Sequence, residues 1–175
     1  MSSSRSVEEL EELANNGADM ELDNTDRAIL QALLKDSRAS QRELSRIVGV
    51  AQGTITNRLK KLENNGVISG YSVVLDPESV GWTMTIMAGL CIAKGKMIDV
   101  QQKIAADSRV FSVYDVTGDW DSMVLARVRD RADLDDLTKT VFTLEGVTRS
   151  FTHVVLNTVK EDGFAKPALN ENTDE

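Results

Sequence analysis

Apolar side chains recur at helical spacing in a short segment within the first third of the chain. Leu44, Ile47 and Val48 stand at i, i+3 and i+4, which predicts a helix with one buried face. Ser40 precedes this segment as a candidate N-cap, and Glu43, three residues later, completes a capping box. The pattern therefore predicts a helix of about two turns that begins just after Ser40.

A second amphipathic segment follows Gly49, a residue whose tolerance of positive φ suits a sharp turn. A helix is predicted from about Gln52 to Asn64, in which Ile55, Leu59 and Leu62 face inward. Its opposite face is polar and basic, and consists of Gly53, Thr56, Asn57 and Lys60, flanked by Thr54 and Lys61. Two short helices around a glycine turn, with amide, hydroxyl and basic groups exposed on the second, are typical of a helix-turn-helix.

A further helix is predicted ahead of this pair, from Asn24 or Thr25 to about Lys35. Its apolar stripe consists of Ile29, Leu30, Leu33 and Leu34. Asp23 and Asp26 lie near its N-terminus, where the helix dipole favours negative charge. Three such helices are enough for the core of a small winged-helix domain.

The residues after these helices favour extended structure. Residues 67–69 (VIS) and 71–75 (YSVVL) are β-branched and aromatic, and Gly70 separates them. They predict a wing or an exit strand. The turn signal DPE at residues 76–78 places a domain boundary nearby.

The rest of the chain alternates predicted strands and helices. Strands are predicted over residues 83–93, 110–117, 122–129 and 147–159, and helices over residues 97–106 and 134–143. The order βαββαβ is that of a ferredoxin-like α+β sandwich. The first strand is apolar on both faces, with Ile86, Ala88, Leu90 and Ile92 alternating with Met87, Gly89 and Cys91. Because two helices cover only one face of such a sheet, we expect the other face to be buried by sheet-on-sheet packing in a homodimer.

Charge and composition complete the division of the chain. We expect a flexible acidic extension (1–21), a winged helix-turn-helix domain (22–70), a linker strand (71–82), a ferredoxin-like domain (83–160) and a flexible tail (161–175). The helical domain holds eight Lys/Arg against five Asp/Glu, whereas the whole chain has a net charge of −8. A basic module in an acidic chain is the electrostatic signature of a phosphate-binding face. Met20 is an alternative start of translation to Met1.

Several other functional classes lack the residues they require. Cys91 is the single cysteine, so no internal disulfide framework is possible and a reducing compartment is expected. We expect a cytoplasmic protein, because the sequence shows neither a secretory signal nor an apolar run of membrane-spanning length. His153 lies in the middle of a predicted strand and Cys91 on an apolar one, which favours a structural role for His153 and a core position for Cys91. Zinc-ligand spacing, a phosphate-binding glycine loop and a nucleophile elbow are absent, so we expect no enzyme, metal or cofactor.

From Leu22 to about Lys160 the chain resembles the Lrp/AsnC, or feast/famine, family of transcription regulators. The resemblance rests on LDNTDRAILQALLKDSRAS (22–40), KKLENNGVISGY (60–71), Gly81 and TGDWD (117–121), in this order and spacing. It implies an N-terminal winged helix followed by a βαββαβ effector domain that dimerises through its sheets. It also implies further assembly of dimers into octamers or other even-numbered rings.

The resemblance and the helix pattern together assign the DNA-binding residues. Base-edge contacts are expected from Gln52, Thr54, Thr56 and Asn57, because the N-terminal half of a recognition helix enters the major groove. Gly53 would let the backbone approach DNA closely. Phosphate contacts are expected from Arg58, Lys60 and Lys61, with Arg42 and Arg46 as additions. An ion pair within the protein is the alternative for Arg58, and a solvated surface position is the alternative for Thr54 and Lys61.

One residue departs from the family pattern at this helix. The family usually has serine at the position of Ala51, where the hydroxyl caps the recognition helix. Alanine cannot accept that hydrogen bond, so we expect this helix start to be less stable by about 1 kcal/mol.

The resemblance also places an effector site at the loop after the second strand of the effector domain, near an interface between dimers. Here that loop consists of Gly118, Asp119, Trp120 and Asp121. Glycine frees backbone N–H groups for a carboxylate, and an aspartate can bind an ammonium group, so an amino acid is the expected effector. Trp120 would line the pocket. The alternative is a tight hairpin in which the aspartates support the turn and Trp120 packs between subunits.

The expected function is therefore that of an oligomeric, sequence-specific transcription regulator controlled by a small metabolite. A dimer presents two recognition helices, which predicts a roughly palindromic site in double-stranded DNA. Two alternatives stay open: an architectural protein that binds DNA with little specificity, and a metabolite-binding or enzymatic ferredoxin-like protein whose helices mediate protein contacts. The effector, the operator, the direction of regulation and the number of subunits are not specified by the sequence.

Overall fold

The computed structural model describes residues 21–161, which form two compact units. The helical unit ends at Val73, and the sheet unit comprises Val74–Glu161. The predicted acidic extension and the predicted flexible tail lie outside the described residues, except for Glu21 and Glu161 at their edges.

The helical unit consists of α1 (Asn24–Lys35), α2 (Gln41–Val48) and α3 (Gln52–Asn64). Asp23 and Asp26 form a complete capping box at the start of α1, and Ser40 and Glu43 form another at the start of α2. The side chain of Ala51 makes no capping hydrogen bond to α3, and the weaker start of this helix stays a prediction. The helix positions therefore follow from local sequence signals.

The core of the helical unit differs in part from the predicted stripe. Its buried apolar residues are Ile29, Ala32, Leu44, Ile55, Leu59 and Leu62. The three predicted inward residues of α3 are confirmed, but Leu34 and Ile47 are 50% and 61% exposed, so their predicted burial is wrong. The buried positions of α1 run through Asp26, Ile29 and Ala32, which turns Leu34 outward. In α2 only Leu44 is fully buried.

The predicted strands after α3 are absent. None of the four strands in the described part of the chain pairs with residues 67–76, so the wing strand, exit strand and linker strand predicted there do not form within a single chain. Val73 and Val74 are 82% and 94% exposed, and a 3₁₀ helix at Glu78–Val80 follows. β-branched residues favour a strand only where another strand satisfies their backbone groups.

The sheet unit contains β1 (Met84–Ile92), α4 (Met97–Ala105), β2 (Val110–Asp115), β3 (Ser122–Val128), α5 (Arg131–Thr140) and β4 (Val147–Val154). All its strand pairs are antiparallel, in the order β2-β3-β1-β4. The predicted ferredoxin-like βαββαβ order is confirmed. Helix α5 begins earlier than predicted because the Asp130 carboxylate caps it, accepting from the Asp133 backbone N–H at 2.8 Å. β4 ends at Val154 instead of residue 159.

One sheet face packs against α4 and α5, and no described helix of the sheet unit covers the other. The packed face includes Ile86, Ala88 and Leu90 of β1, all fully buried. We call the other side the open face, on which Met87, Phe111, Tyr114 and Phe151 are 39–53% exposed. Cys91 lies on this open face and is half-buried, so its predicted core position is wrong. The apolar character of both faces of β1, noted from the sequence, therefore does not mean that both are buried within one chain.

Candidate nucleic-acid interface and effector loop

The turn between α2 and α3 is fixed by one glycine and one hydroxyl group. Gly49 has a φ of 79°, the left-handed conformation that was expected at the end of α2. The Ser45 hydroxyl donates a hydrogen bond to the Val50 carbonyl at 2.6 Å, which joins α2 to the residues that lead into α3. These contacts set the two helices in a helix-turn-helix arrangement.

The outward face of α3 holds most of the residues predicted to contact bases. Gln52, Thr54 and Asn57 are exposed, and Thr56 is half-buried. Gly53 is also exposed, and a Cβ atom at this position would meet no atom within 4 Å. Packing within the protein therefore does not require glycine here, which is what a position facing an external partner would show.

Arg58 is occupied within the protein. Its Nη1 atom lies 2.6 Å from Oδ2 of Asp23 and 3.3 Å from Oδ2 of Asp26, and the Asp26 side chain is only 1% exposed. The Asp26 backbone N–H and the Arg58 guanidinium lower the pKa of Asp23 below its ordinary value. Of the two roles considered for Arg58, this geometry favours the internal ion pair over a phosphate contact.

The other predicted phosphate-binding residues keep their charges available. Lys60 and Lys61 on α3 and Arg42 on α2 are exposed, and none forms an ion pair with another described residue. Arg46 is also exposed and lies near Glu43. The backbone and hydroxyl of Ser40 are the main groups that lower the pKa of Glu43, and Arg46 contributes least. Basic side chains from both helices therefore border the outward face of α3.

Sequence reasoning missed one residue of this surface. Gln41 is exposed at the first position of α2, and its Oε1 accepts a hydrogen bond from the Thr56 hydroxyl at 2.6 Å. The contact joins residues on two different helices, so no local sequence pattern predicts it. The only available signal was the expectation that α2 begins beside α3 in a helix-turn-helix.

The predicted effector loop packs against the open face through its tryptophan. A Cβ atom added at Gly89 of β1 would lie only 2.6 Å from Cδ2 of Trp120. The Arg149 guanidinium stands 4.4 Å from the Trp120 ring centroid, and the Phe151 ring centroid is 6.1 Å away. Trp120 therefore lies flat over a position where only glycine fits.

The two aspartates of this loop have different surroundings. The Asp121 carboxylate accepts a hydrogen bond from the Ile92 backbone N–H at 2.7 Å, and its own N–H donates to the Leu90 carbonyl at 2.9 Å. The Asp119 carboxylate has no hydrogen-bond or ion-pair partner among the described residues, and this residue is exposed. Asp121 thus holds the end of β1, as the hairpin alternative expected, whereas the Asp119 carboxylate remains available for a ligand.

A charged network lies elsewhere in the sheet unit. Arg109 forms ion pairs with Asp107 at 2.7 Å, Asp133 at 3.0 Å and Asp136 at 2.8 Å. These residues line an open cavity of about 760 Å³. The three carboxylates share the single guanidinium of Arg109, and none of the predicted effector residues lines this cavity.

A structural role was predicted for His153, and no metal site was expected. His153 is exposed on the open face, with its ring centroid 4.7 Å from that of Phe151. Residues 21–161 contain no group of three or more His, Cys, Asp or Glu side chains placed to hold a metal ion. In the same part of the chain no helix is long and apolar enough to cross a membrane.

A helix-turn-helix with an exposed polar and basic second helix, joined to a ferredoxin-like unit, defines a DNA-binding regulator with a separate regulatory domain. The chain belongs to the Lrp/AsnC family of transcription regulators. Residues 22–69 match the family described as winged helix-turn-helix DNA-binding, and residues 85–163 match the Lrp/AsnC ligand binding domain.

Curated relatives of similar length support this assignment. An uncharacterized HTH-type transcriptional regulator of Pyrococcus horikoshii is 47% identical over 85% of this chain and 100% of its own. The HTH-type transcriptional regulator FL11 of Pyrococcus abyssi is 34% identical over 80% of this chain and 93% of its own.

Solved structures show the same fold. AsnC of E. coli superposes with a TM-score of 0.76 at 23% identity, over 83% of this chain and 99% of that chain. The transcriptional regulator NMB0573 of Neisseria meningitidis, determined as a complex with L-Met, gives a TM-score of 0.73 at 29% identity. That similarity covers 81% of this chain and 94% of the NMB0573 chain.

Proposed function

We propose that α3 enters the major groove of DNA and distinguishes sequences through Gln52, Thr54, Thr56 and Asn57. The observation that carries this proposal is the contrast between the two faces of α3. Ile55, Leu59 and Leu62 are buried, while the opposite side is exposed and polar. Amide side chains pair with adenine, and threonine offers a hydroxyl or a methyl group to a base edge.

Exposed cations beside this face supply the phosphate contacts in the proposal. Lys60 and Lys61 flank the base-reading residues on α3, and Arg42 and Arg46 extend the basic surface along α2. Gly53 allows the backbone of the first turn to approach the DNA. Arg58 is not among the proposed phosphate contacts, because its guanidinium forms ion pairs with Asp23 and Asp26.

The proposal includes a homodimer formed by the open face of the sheet. Met87, Phe111, Tyr114 and Phe151 place large apolar surfaces on one side of a sheet that no described helix covers. A second copy would bury them by sheet-on-sheet packing. The resemblance to the family adds assembly into octamers and a roughly palindromic operator.

The regulatory part of the proposal is an amino-acid effector bound at the loop of residues 118–121. The Asp119 carboxylate, which has no partner among residues 21–161, would bind an ammonium group, and Gly118, at a φ of 112°, presents backbone N–H groups without a side chain. The NMB0573 regulator was solved with L-Met, which supports an effector of this class. Trp120 and Asp121 would shape the site and not bind directly, because both are engaged with β1.

The proposal contains no catalytic step and no cofactor. The relatives found are transcriptional regulators, and the chain acts by binding DNA and a small molecule. We place it in the compartment that holds the DNA, the cytoplasm of a prokaryotic cell.

Fluorescence anisotropy tests this function directly. The full chain is titrated with duplex DNA from upstream of its own gene, with and without each amino acid. Tight binding shifted by one amino acid establishes both the operator and the effector, and Asp119→Ala should then remove the shift while basal binding persists. An unchanged amino-acid response in Asp119→Ala contradicts the proposed effector site. Affinity no greater than for random DNA contradicts autoregulation, and genome-wide occupancy then locates the sites.

A further inference from the structure

The hydrogen bond between Gln41 and Thr56 determines which atoms these two side chains turn outward. The Thr56 hydroxyl has one hydrogen, and its oxygen lies 2.6 Å from Oε1 of Gln41 and 3.0 Å from the carbonyl oxygen of Gln52. Both acceptors belong to the protein, so the hydrogen stays inside and the hydroxyl offers a lone pair to an outside partner. The two residues are therefore oriented before any ligand binds.

The amide of Gln41 is complementary to this hydroxyl. Its carbonyl oxygen is engaged by Thr56, so the Nε2 amino group, which has no partner among the described residues, is the end left for an outside acceptor. Gln41 and Thr56 thus present one hydrogen-bond donor beside one acceptor. The donor comes from α2 and the acceptor from α3.

Adenine is the base whose major-groove edge matches this pair. It shows the N7 acceptor beside the N6 amino donor, whereas guanine shows two acceptors. We propose that Gln41 and Thr56 together read one adenine, with the Gln41 amide donating to N7 and the Thr56 hydroxyl accepting from N6. This inference rests on the proposed role of α3 and adds Gln41, a residue of the preceding helix, to the sequence-reading set.

The surroundings of Gln41 favour a base edge over a phosphate as its partner. The Glu43 carboxylate lies at the same helix end, where its Oε2 accepts from the backbone N–H and the hydroxyl of Ser40, both at 2.8 Å. A negative charge held there repels a phosphate group at Gln41, although the positive charge of the neighbouring Arg42 opposes this effect. A neutral acceptor on a base does not meet this repulsion.

The experiment uses the full chain and a DNA site obtained by selection from a random duplex library. Affinities are measured by anisotropy for the selected duplex and for every single-base variant of one half-site. Gln41→Ala and Thr56→Val should each reduce the preference for adenine at the same base pair by about tenfold. The double variant should lose no more than the larger single loss, since the two side chains act as one unit. Thr56→Ser, which keeps the hydroxyl, should retain the preference.

Controls separate this role from loss of structure. Gln102→Ala changes an exposed glutamine of α4 in the sheet unit and should leave the base preferences unchanged. All variants are compared by thermal unfolding, and base preference is a ratio that partial unfolding does not alter.

Three results would overturn the inference: equal losses on every base variant, losses at different base pairs for Gln41 and Thr56, or no loss for Gln41→Ala. A wild-type chain that selects no sequence from the library contradicts the proposed function itself. That outcome is distinguishable, because it appears before any variant is compared.

Discussion

Asp26 of α1 and Arg58 of α3 form an ion pair in which the carboxylate is almost completely buried. Nη1 of Arg58 lies 3.3 Å from Oδ2 of Asp26, whose side chain is 1% exposed. Asp23 shares the same guanidinium nitrogen at 2.6 Å. A buried carboxylate requires a charged or hydrogen-bonding partner, so this contact ties the orientation of α3 to α1.

Replacing Asp26 should therefore destabilise the helical unit. Asp26→Asn removes one of the two carboxylates that face Arg58, and because Asp23 still pairs with the guanidinium we expect the free energy of unfolding to fall by about 1–2 kcal/mol. Chemical denaturation of the full chain measures the change. Asp99→Asn breaks an exposed pair with Lys103 and should cost less than about 0.5 kcal/mol. Similar losses in both variants would show that the burial of Asp26 has no energetic consequence.

The salt dependence of DNA binding should distinguish Lys60 from Arg58. A lysine that neutralises a phosphate releases a counterion, so Lys60→Gln should reduce the slope of log K against log salt concentration by about 0.9 per subunit. Arg58→Gln should leave the slope unchanged, because its charge is already matched by two carboxylates. Anisotropy titrations over a range of salt concentrations give both slopes. If Arg58→Gln reduced the slope as much as Lys60→Gln, Arg58 would have to be counted among the phosphate-binding residues.

A methyl group at position 89 should displace Trp120 of the proposed effector loop. Gly89→Ala places a Cβ atom 2.6 Å from Cδ2 of Trp120, and overpacking of this kind costs about 1–3 kcal/mol. We expect a change in Trp120 fluorescence, recorded in a Trp82→Phe background so that one indole reports. An unchanged emission spectrum and unchanged stability would mean that Trp120 does not rest on Gly89.

Gly53→Ala is the matched glycine variant, and it should raise the free energy of unfolding, whereas Gly89→Ala should lower it. A Cβ atom at Gly53 meets nothing within 4 Å, and alanine favours a helix over glycine by about 0.8–1 kcal/mol. We therefore expect a more stable helical unit together with weaker DNA binding, since the added methyl group separates the backbone from the groove. Thermal unfolding and anisotropy measure the two effects. Unweakened binding would exclude a close backbone approach at this position.

The ionisation of Asp133 should make the free energy of unfolding depend on pH. Burial alone would raise the pKa of Asp133, but hydrogen bonds from Arg129 and Arg109 lower it to about 2, against an ordinary value of 3.8. Because the pKa is lower in the folded chain, this stabilisation is complete above about pH 4 and is lost as the pH falls towards 2. Asp133→Asn should cost about 2 kcal/mol at pH 7 and progressively less below pH 4.

Urea unfolding at several pH values between 2 and 7 checks this dependence. Asp135→Asn, at an exposed position paired with Lys139, is the control and should show a small difference at every pH. A constant deficit of Asp133→Asn across the range would show that its ionisation is not linked to folding.

Local sequence signals predicted the helix starts and turns, because these depend on residues that are close together in the chain. The capping box of Ser40 and Glu43, the left-handed Gly49 and the uncapped start at Ala51 all follow from residues within three positions of each other. The order of strands and helices also followed from periodicity. Predictions failed where a distant partner decides the outcome, as at Ile47, which the short helix α2 leaves exposed.

In the candidate site, too, features that depend on local sequence could be predicted, and features that depend on distant partners could not. The outward residues of α3 could be identified from helical periodicity, since Ile55 and Leu59 fix the inward direction. The Gln41–Thr56 hydrogen bond and the position of Trp120 over Gly89 could not, because each joins elements far apart in sequence. The Arg58 ion pair was considered as an alternative, but only the packing of α3 against α1 distinguishes it from a phosphate contact.

The central claim is that the outward face of α3 reads DNA sequence, and the affinity ratio between a selected site and random duplex tests it most directly. At fixed salt concentration we expect a ratio of about 10³ or more for the wild-type chain. Asn57→Ala should reduce this ratio strongly while affinity for random DNA changes little, because phosphate contacts remain. A wild-type ratio near one, or equal losses of Asn57→Ala on both DNAs, would contradict the claim.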